Sequence, residues 1–155
     1  MRKLFLTFFY TGLFPKAPGT AGTFAGALLG LVILYYAPIM TLFLLTVLLT
    51  AISIVEIDKE EKESGIHDAS SIVIDEVAGI WLAFCISSGS WIQIILSIAL
   101  FRLFDIWKPS IIGRIDRDVK GGLGVMGDDI VAGIFAGLSS SILYGALLKL
   151  GLITS

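Results

Sequence analysis

Residues 101–133, FRLFDIWKPSIIGRIDRDVKGGLGVMGDDIVAG, decide how this chain folds. After Arg102 the stretch carries Lys108, Arg114, Arg117 and Lys120; after Asp105 it carries Asp116, Asp118, Asp128 and Asp129. A glycine cluster, Gly121-Gly122-x-Gly124-x-x-Gly127, lies between the two sets. Both ends run directly into apolar, helix-like sequence. Charge at such a boundary is costly unless it is used, so the stretch reads as the centre of a reactive site facing a membrane surface.

The rest of the chain supports a membrane setting. Of 155 residues, 56% are apolar and 15% charged, against about 45–50% and about 25% in an ordinary soluble domain. The excess falls in long blocks, which predicts an all-α, multi-pass membrane bundle forming a single domain over residues 1–155. A net charge of −2 leaves no basic surplus for nucleic acid. One cysteine, Cys85, excludes a disulfide framework and a cysteine metal cluster.

The N-terminal MRKLFLTFFYTGLF imitates a signal peptide, but Pro15-Lys16-Ala17-Pro18 interrupts it and no clean cleavage site follows. It is too short to span and reads as a retained interfacial segment. The first membrane helix is expected from Thr20 to Ala37, closed by Pro38. Gly22, Gly26 and Gly30 form a smooth strip along it for close helix packing. A second helix runs from Met40 to about Val55. Residues 56–71, EIDKEEKESGIHDASS, read as a solvated loop or short amphipathic helix.

Asp75-Glu76 opens a third apolar block that continues to Ser87. Ser88-Gly89-Ser90 reads as a turn before Trp91–Trp107, and residues 108–128 read as a polar loop. Asp128-Asp129 then opens the last helix, Ile130 to about Leu148, where Gly133 and Gly137 repeat the small-residue spacing. Residues 77–100 would also fit one ordinary span. Two helices put the N-terminus and both charged loops on one side, leaving only Lys149 near the other, which is the bias expected of a cytoplasmic face. About five membrane helices plus the interfacial segment follow.

The reactive groups gather on that side. Acids at helix starts serve as caps and suit the helix dipole, but a cap needs one side chain, and Asp75-Glu76 and Asp128-Asp129 are pairs. Asp105 lies near a helix end, where the dipole disfavours an anion, and shares a face with Arg102 and Lys108. Clustered carboxylates beside cations suit Mg²⁺ and a phosphate, since Mg²⁺ prefers oxygen ligands and leaves positions for water and substrate. Arg102, Lys108 and Arg117 are candidate phosphate contacts, as are Thr20 and, through its backbone, Gly122.

Several motifs exclude other chemistries. Gly122-x-Gly124-x-x-Gly127 fits a dinucleotide fingerprint, but no strand precedes it. Asp116-x-Asp118 lacks the strand an aspartyl phosphatase motif requires. Trp91 stands where a cysteine phosphatase loop would need arginine after Cys85, and the single His67, read as a loop residue, leaves no histidine-nucleophile pair.

Three blocks carry a family resemblance. They are Gly12-x-x-Pro15-x-Ala17-Pro18-Gly19-Thr20-x-Gly22-Thr23; Asp68 with Ile72-Val73-Ile74-Asp75-Glu76-x-x-Gly79; and Phe101-Arg102-x-Phe104-Asp105-x-x-Lys108-Pro109 through Asp116-Arg117 to Gly121-Gly122-x-Gly124-x-Met126-x-Asp128-Asp129-x-x-Ala132-Gly133. The chain resembles the phosphatidylglycerophosphatase A family of bacterial membrane enzymes, with one departure at Ile111, where the pattern often has a second proline. The resemblance implies Mg²⁺-dependent dephosphorylation of phosphatidylglycerol phosphate at the cytoplasmic face of the inner membrane. Within it, Asp75, Glu76, Asp128 and Asp129 are expected to hold Mg²⁺. Asp105 is expected to be a further ligand or general base, and Arg102 and Lys108 to neutralise the phosphate. Two other classes are weaker. A CDP-alcohol phosphotransferase needs an Asp-x-x-Asp-Gly pattern that the chain lacks. A small transporter or assembly protein would place its charges within the bilayer.

Overall fold

Proline and glycine punctuate the chain where their backbone chemistry demands. Pro18 occupies the first position of a helix over Pro18–Tyr36 (α2), and Pro38 caps the next, Ile39–Ser64 (α3). Gly65, left-handed at φ +70°, ends α3. Ser90 and Gln93 form a reciprocal capping box at the start of Trp91–Trp107 (α5), which Lys108 ends in a left-handed conformation just before Pro109. The computed structural model describes residues 1–87 and 89–153. Its other helices are Arg2–Leu6 (α1), Ile74–Ser87 (α4), Ile111–Asp118 (α6) and Gly122–Lys149 (α7), with a 3-10 turn at Thr11–Leu13. No strand occurs among the described residues.

The structure separates α4 from α5, so residues 76–107 are two helices. Gly89 and Ser90 lie between them, and Ser88 falls outside the described residues. α4 is the central element. Val77, Ala78, Ile80, Ala83 and Phe84 on successive turns are all essentially inaccessible, as expected of a helix that is apolar on every face. At 14 residues it is about 21 Å long, short of the ~30 Å hydrocarbon layer, and α2, α3, α5 and α7 enclose it. α2, α3 and α7 are long and apolar enough to cross a membrane.

The expected glycine seams are present. Gly22, Gly26 and Gly30 meet Val73, Val77 and Trp81, and the Trp81 indole N–H donates to the Gly26 carbonyl at 2.7 Å. Gly133 lies against Gly79, and Gly137 against Ala83 and Ile86.

Three sequence expectations change. Residues 56–64 are helical, but as a continuation of α3 rather than a separate short helix or a loop. Lys59 pairs with Glu56 at 2.6 Å, and Arg2 reaches Glu56, Glu60 and Glu63, so the charges support the helix and tie α1 to it. The polar loop after Lys108 contains α6. Finally, the last helix begins at Gly122, so Asp128 and Asp129 sit in its second turn rather than at its start.

The glycine run is helical because tertiary contacts override its poor propensity. A Cβ on Gly122 would lie 2.2 Å from the Ile54 carbonyl oxygen, and one on Gly124 would lie 2.0 Å from that of Val119. The Gly122 N–H donates to Asp58 Oδ1 at 2.7 Å, so a residue of α3 caps α7 from a distance. Asp58→Ala should therefore lower stability by about 1 kcal/mol, read as a lower melting temperature in detergent, and Asp58→Asn should recover most of the loss.

Candidate active site

Helix starts and one helix end converge at a single end of the bundle around a cavity of about 280 Å³. α2 contributes Pro18 and Gly19, and the connection after α3 contributes Asp68, Ser70 and Ile72. α4 brings Asp75 and Glu76 on its first turn, the end of α5 brings Arg102, Asp105 and Lys108, and α7 brings Val125, Asp128 and Asp129. The two-helix path of residues 74–107 makes this possible, because it returns the chain to the end where it started.

At the floor lie three carboxylates. Asp75, Glu76 and Asp129 each offer an oxygen, and these atoms lie within 4.8 Å of one another. Asp75 is 7% exposed and Asp129 3%. Asp75 Oδ1, Glu76 Oε2 and Asp129 Oδ1 are buried without a hydrogen-bond partner among the described residues. Three buried anions held together are strongly unfavourable with only Arg102 near them, so the arrangement fits a bound hard cation with an all-oxygen donor set. Gly19 lets α2 come this close, since a Cβ there would stand 2.2 Å from Glu76 Oε1.

Cations flank the triad. Arg102 donates through one terminal nitrogen to Asp105 and to Thr23 Oγ1, the latter at 3.4 Å. Its Nε is buried with no partner among the described residues, and these contacts use only one of its two terminal nitrogens. Lys108 is engaged differently. Its ammonium donates to Asp128 Oδ2 at 2.7 Å and also to Asp116. Burial works against the charged form of Lys108, but the hydrogen bonds to Asp116 and Asp128 outweigh it and raise the pKa above the ordinary lysine value.

Of the expected site residues, Asp75, Glu76, Asp105, Asp128, Asp129, Arg102 and Lys108 line the cavity. Asp128, expected beside Asp129 as a ligand, turns to Lys108, because neighbours in a helix point about 100° apart. Three expected phosphate contacts lie outside the lining. Gly122 is packed on α3 and its N–H is taken by Asp58. Arg117 is exposed on α6, since Ile112 faces the body and Asp116 faces Lys108. Thr20 sits half-buried on the first turn of α2, beside the lining residue Gly19. The sequence reading singles out neither Ser70, Thr23 nor Asp116 for the site. Thr23 and Asp116 stand inside the quoted family blocks, but nothing in their spacing reveals partners on other helices. His67 is a loop residue, as expected, with Nδ1 2.6 Å from Glu61 Oε1.

Residues 4–144 match the family model described as phosphatidylglycerophosphatase A. The chain is 38% identical over 129 residues to the phosphatidylglycerophosphatase A of Haemophilus influenzae, covering 83% of this chain and 79% of that protein. It is 36% identical over 137 residues to the phosphatidylglycerophosphatase A of Escherichia coli, covering 88% of this chain and 77% of that one. No solved structure matches.

Proposed function

The chain belongs to the phosphatidylglycerophosphatase A family, and from that membership we infer that it is a phosphatase releasing the terminal phosphate of phosphatidylglycerol phosphate. We propose Mg²⁺ as its cofactor, held by Asp75, Glu76 and Asp129. The observation that carries this is the buried triad, whose three carboxylates converge within 4.8 Å of one another and line the same cavity as Arg102.

When bound, such a cation polarises a phosphoryl oxygen and lowers the pKa of a coordinated water. The chain's own residues do the rest. Arg102, fixed by Asp105 and Thr23, offers its remaining terminal N–H groups to the phosphate oxygens. Lys108 holds Asp128 and Asp116 together, bracing α6 against α7, and supplies positive charge at the mouth. In the reaction water adds to phosphorus, the bond from phosphorus to the glycerol oxygen breaks, and a proton passes to that leaving oxygen. Asp105 lines the cavity outside both the triad and the Lys108 clamp, and its side chain is only 14% exposed. We assign it as the acceptor for the water's proton.

The membrane arrangement we propose has five segments, α2, α3, α4, α5 and α7, with α1 and the turn after it at the interface. Exposed apolar residues on α2 and α5, among them Phe24, Leu28, Leu103 and Ile106, face lipid. Of the 11 lysines and arginines, all but Lys149 belong to the site end, a bias that supports placing that end on the cytoplasmic side of the bacterial inner membrane. Substrate phosphate then stays in the headgroup layer while its acyl chains lie along the helices.

Purified protein in detergent should release phosphate from phosphatidylglycerol phosphate with Mg²⁺, stop when the metal is chelated, and recover when Mg²⁺ is returned. Turnover that persists in chelator would remove the cation from the reading. Absence of release from folded protein under every condition would remove the activity.

A further inference from the structure

The cavity has a polar rim that neither the triad nor the cations use. Asp68 and Ser70 line it from the connection between α3 and α4, and among the described residues neither side chain makes a hydrogen bond or ion pair. Both residues are exposed, and the backbone of Asp68 is held in place. Asp68 holds a left-handed backbone at φ 48°, a conformation that costs a non-glycine residue free energy and persists where its surroundings impose it. The imposing group is Glu61 at the end of α3. Its Oε1 accepts from the Asp68 N–H at 3.2 Å and lies 2.6 Å from His67 Nδ1, with the side chain only 15% exposed.

An anion at the mouth of a phosphate-binding cavity repels the phosphate. It is useful there in one of two ways: as a cation ligand, or as an acceptor for neutral donors on the rest of the substrate. Asp68 is not among the carboxylates whose oxygens cluster within 4.8 Å. An unspent carboxylate beside an unspent hydroxyl, both facing the cavity, matches a hydroxyl on the leaving alcohol. The carboxylate accepts from it, and the serine hydroxyl donates or accepts.

We propose that Asp68 and Ser70 form a specificity-determining pair that recognises a free hydroxyl on the headgroup alcohol carrying the phosphate. This rests on the phosphatase reading above and adds to it that the leaving group is selected as a polyol. In phosphatidylglycerol phosphate the hydroxyl is the secondary one of the headgroup glycerol. A site built to bind a hydroxyl rejects the analogue lacking it, because its own polar groups are then left unpaired.

The test compares phosphatidylglycerol phosphate with a deoxy analogue in which CH₂ replaces the headgroup CHOH. Both are presented in the same detergent micelles with Mg²⁺. The wild-type protein should favour the hydroxyl-bearing lipid in kcat/KM by about tenfold or more. Asp68→Ala should reduce that preference about tenfold, and Ser70→Ala should reduce it by a smaller factor without straining the backbone. Asp68→Asn keeps an acceptor oxygen and tolerates the left-handed conformation, so it should restore most of the preference. Equal losses on both lipids, relieved by raising Mg²⁺, would make Asp68 a cation ligand and overturn the proposal. So would a wild-type protein indifferent to the hydroxyl, or an Asp68→Asn variant no more selective than Asp68→Ala. Release of phosphate from neither lipid by the wild-type protein would overturn the underlying activity instead.

Discussion

Asp129→Asn should lower phosphate release by about a thousandfold or more while leaving the protein folded. The side chain is 3% exposed, contributes one of three converging oxygens, and has its Oδ1 buried without a partner among the described residues. An amide in its place removes a full negative charge from the proposed cation site, and losing one electrostatic contact to the reacting phosphoryl group typically costs about 10²–10³ in rate. The stability readout separates this role from a structural one. Without metal, Asp75, Glu76 and Asp129 repel one another, so neutralising one should leave the melting temperature in chelator unchanged or raise it. With Mg²⁺ the wild-type protein should melt higher, because a ligand bound to the folded state stabilises it by mass action. Most of that increment should vanish in Asp129→Asn. A variant that melts well below the wild type in chelator would mark Asp129 as a packing residue instead.

That contrast between charge and packing also separates what was legible in the sequence from what was not. The apolar blocks, the break near Gly89 and the four-residue glycine spacings marked helices and seams, because each follows from local backbone chemistry. The clustering of Asp75, Glu76, Arg102, Asp105 and Asp129 at one end followed from counting helices. The position of Asp128 and Asp129 inside α7 did not. A glycine run reads as a loop, and what makes it helical is a cap from Asp58 and a close approach of Ile54, both on a helix far away in sequence. The partners of Lys108 were hidden for a related reason. Helices apolar on all sides carry no periodic signal for which face meets which neighbour, so nothing turned Asp128 toward Lys108 and Asp129 toward Asp75 until α6 and α7 were placed. Arg117 and Gly122 were misplaced by the same gap, since proximity in sequence stood in for orientation on a helix.

The second large effect is expected one turn below the triad, at Gly133. A Cβ there would lie 2.3 Å from the Gly79 carbonyl oxygen, a backbone atom that cannot swing aside, and a Cβ on Gly79 would lie 2.7 Å from the carbonyl oxygen of Asp129. The backbones of α4 and α7 therefore touch at this crossing. Gly79 follows Asp75 by one turn, and Gly133 follows Asp129 by one turn, so the crossing sets the distance between carboxylates on opposite helices. To accept even Gly133→Ala, α7 must move out by about 1 Å to reach ordinary contact distance, an overpacking that typically costs about 1–3 kcal/mol. The same displacement separates Asp129 from Asp75 and Glu76, and a misplacement of about 1 Å remote from the chemistry can cost about a hundredfold in rate. Gly145 supplies the control on the same helix, for a Cβ there meets nothing within 4 Å. Gly145→Ala should be neutral or stabilising by up to about 1 kcal/mol through helix propensity. Melting temperature and phosphate release measured on both variants decide the matter. If Gly133→Ala is as stable and as active as Gly145→Ala, the α4–α7 contact does not set the geometry of the site. If it loses stability, activity and the Mg²⁺-dependent rise in melting temperature together, the helix crossing and the carboxylate triad are one structural unit.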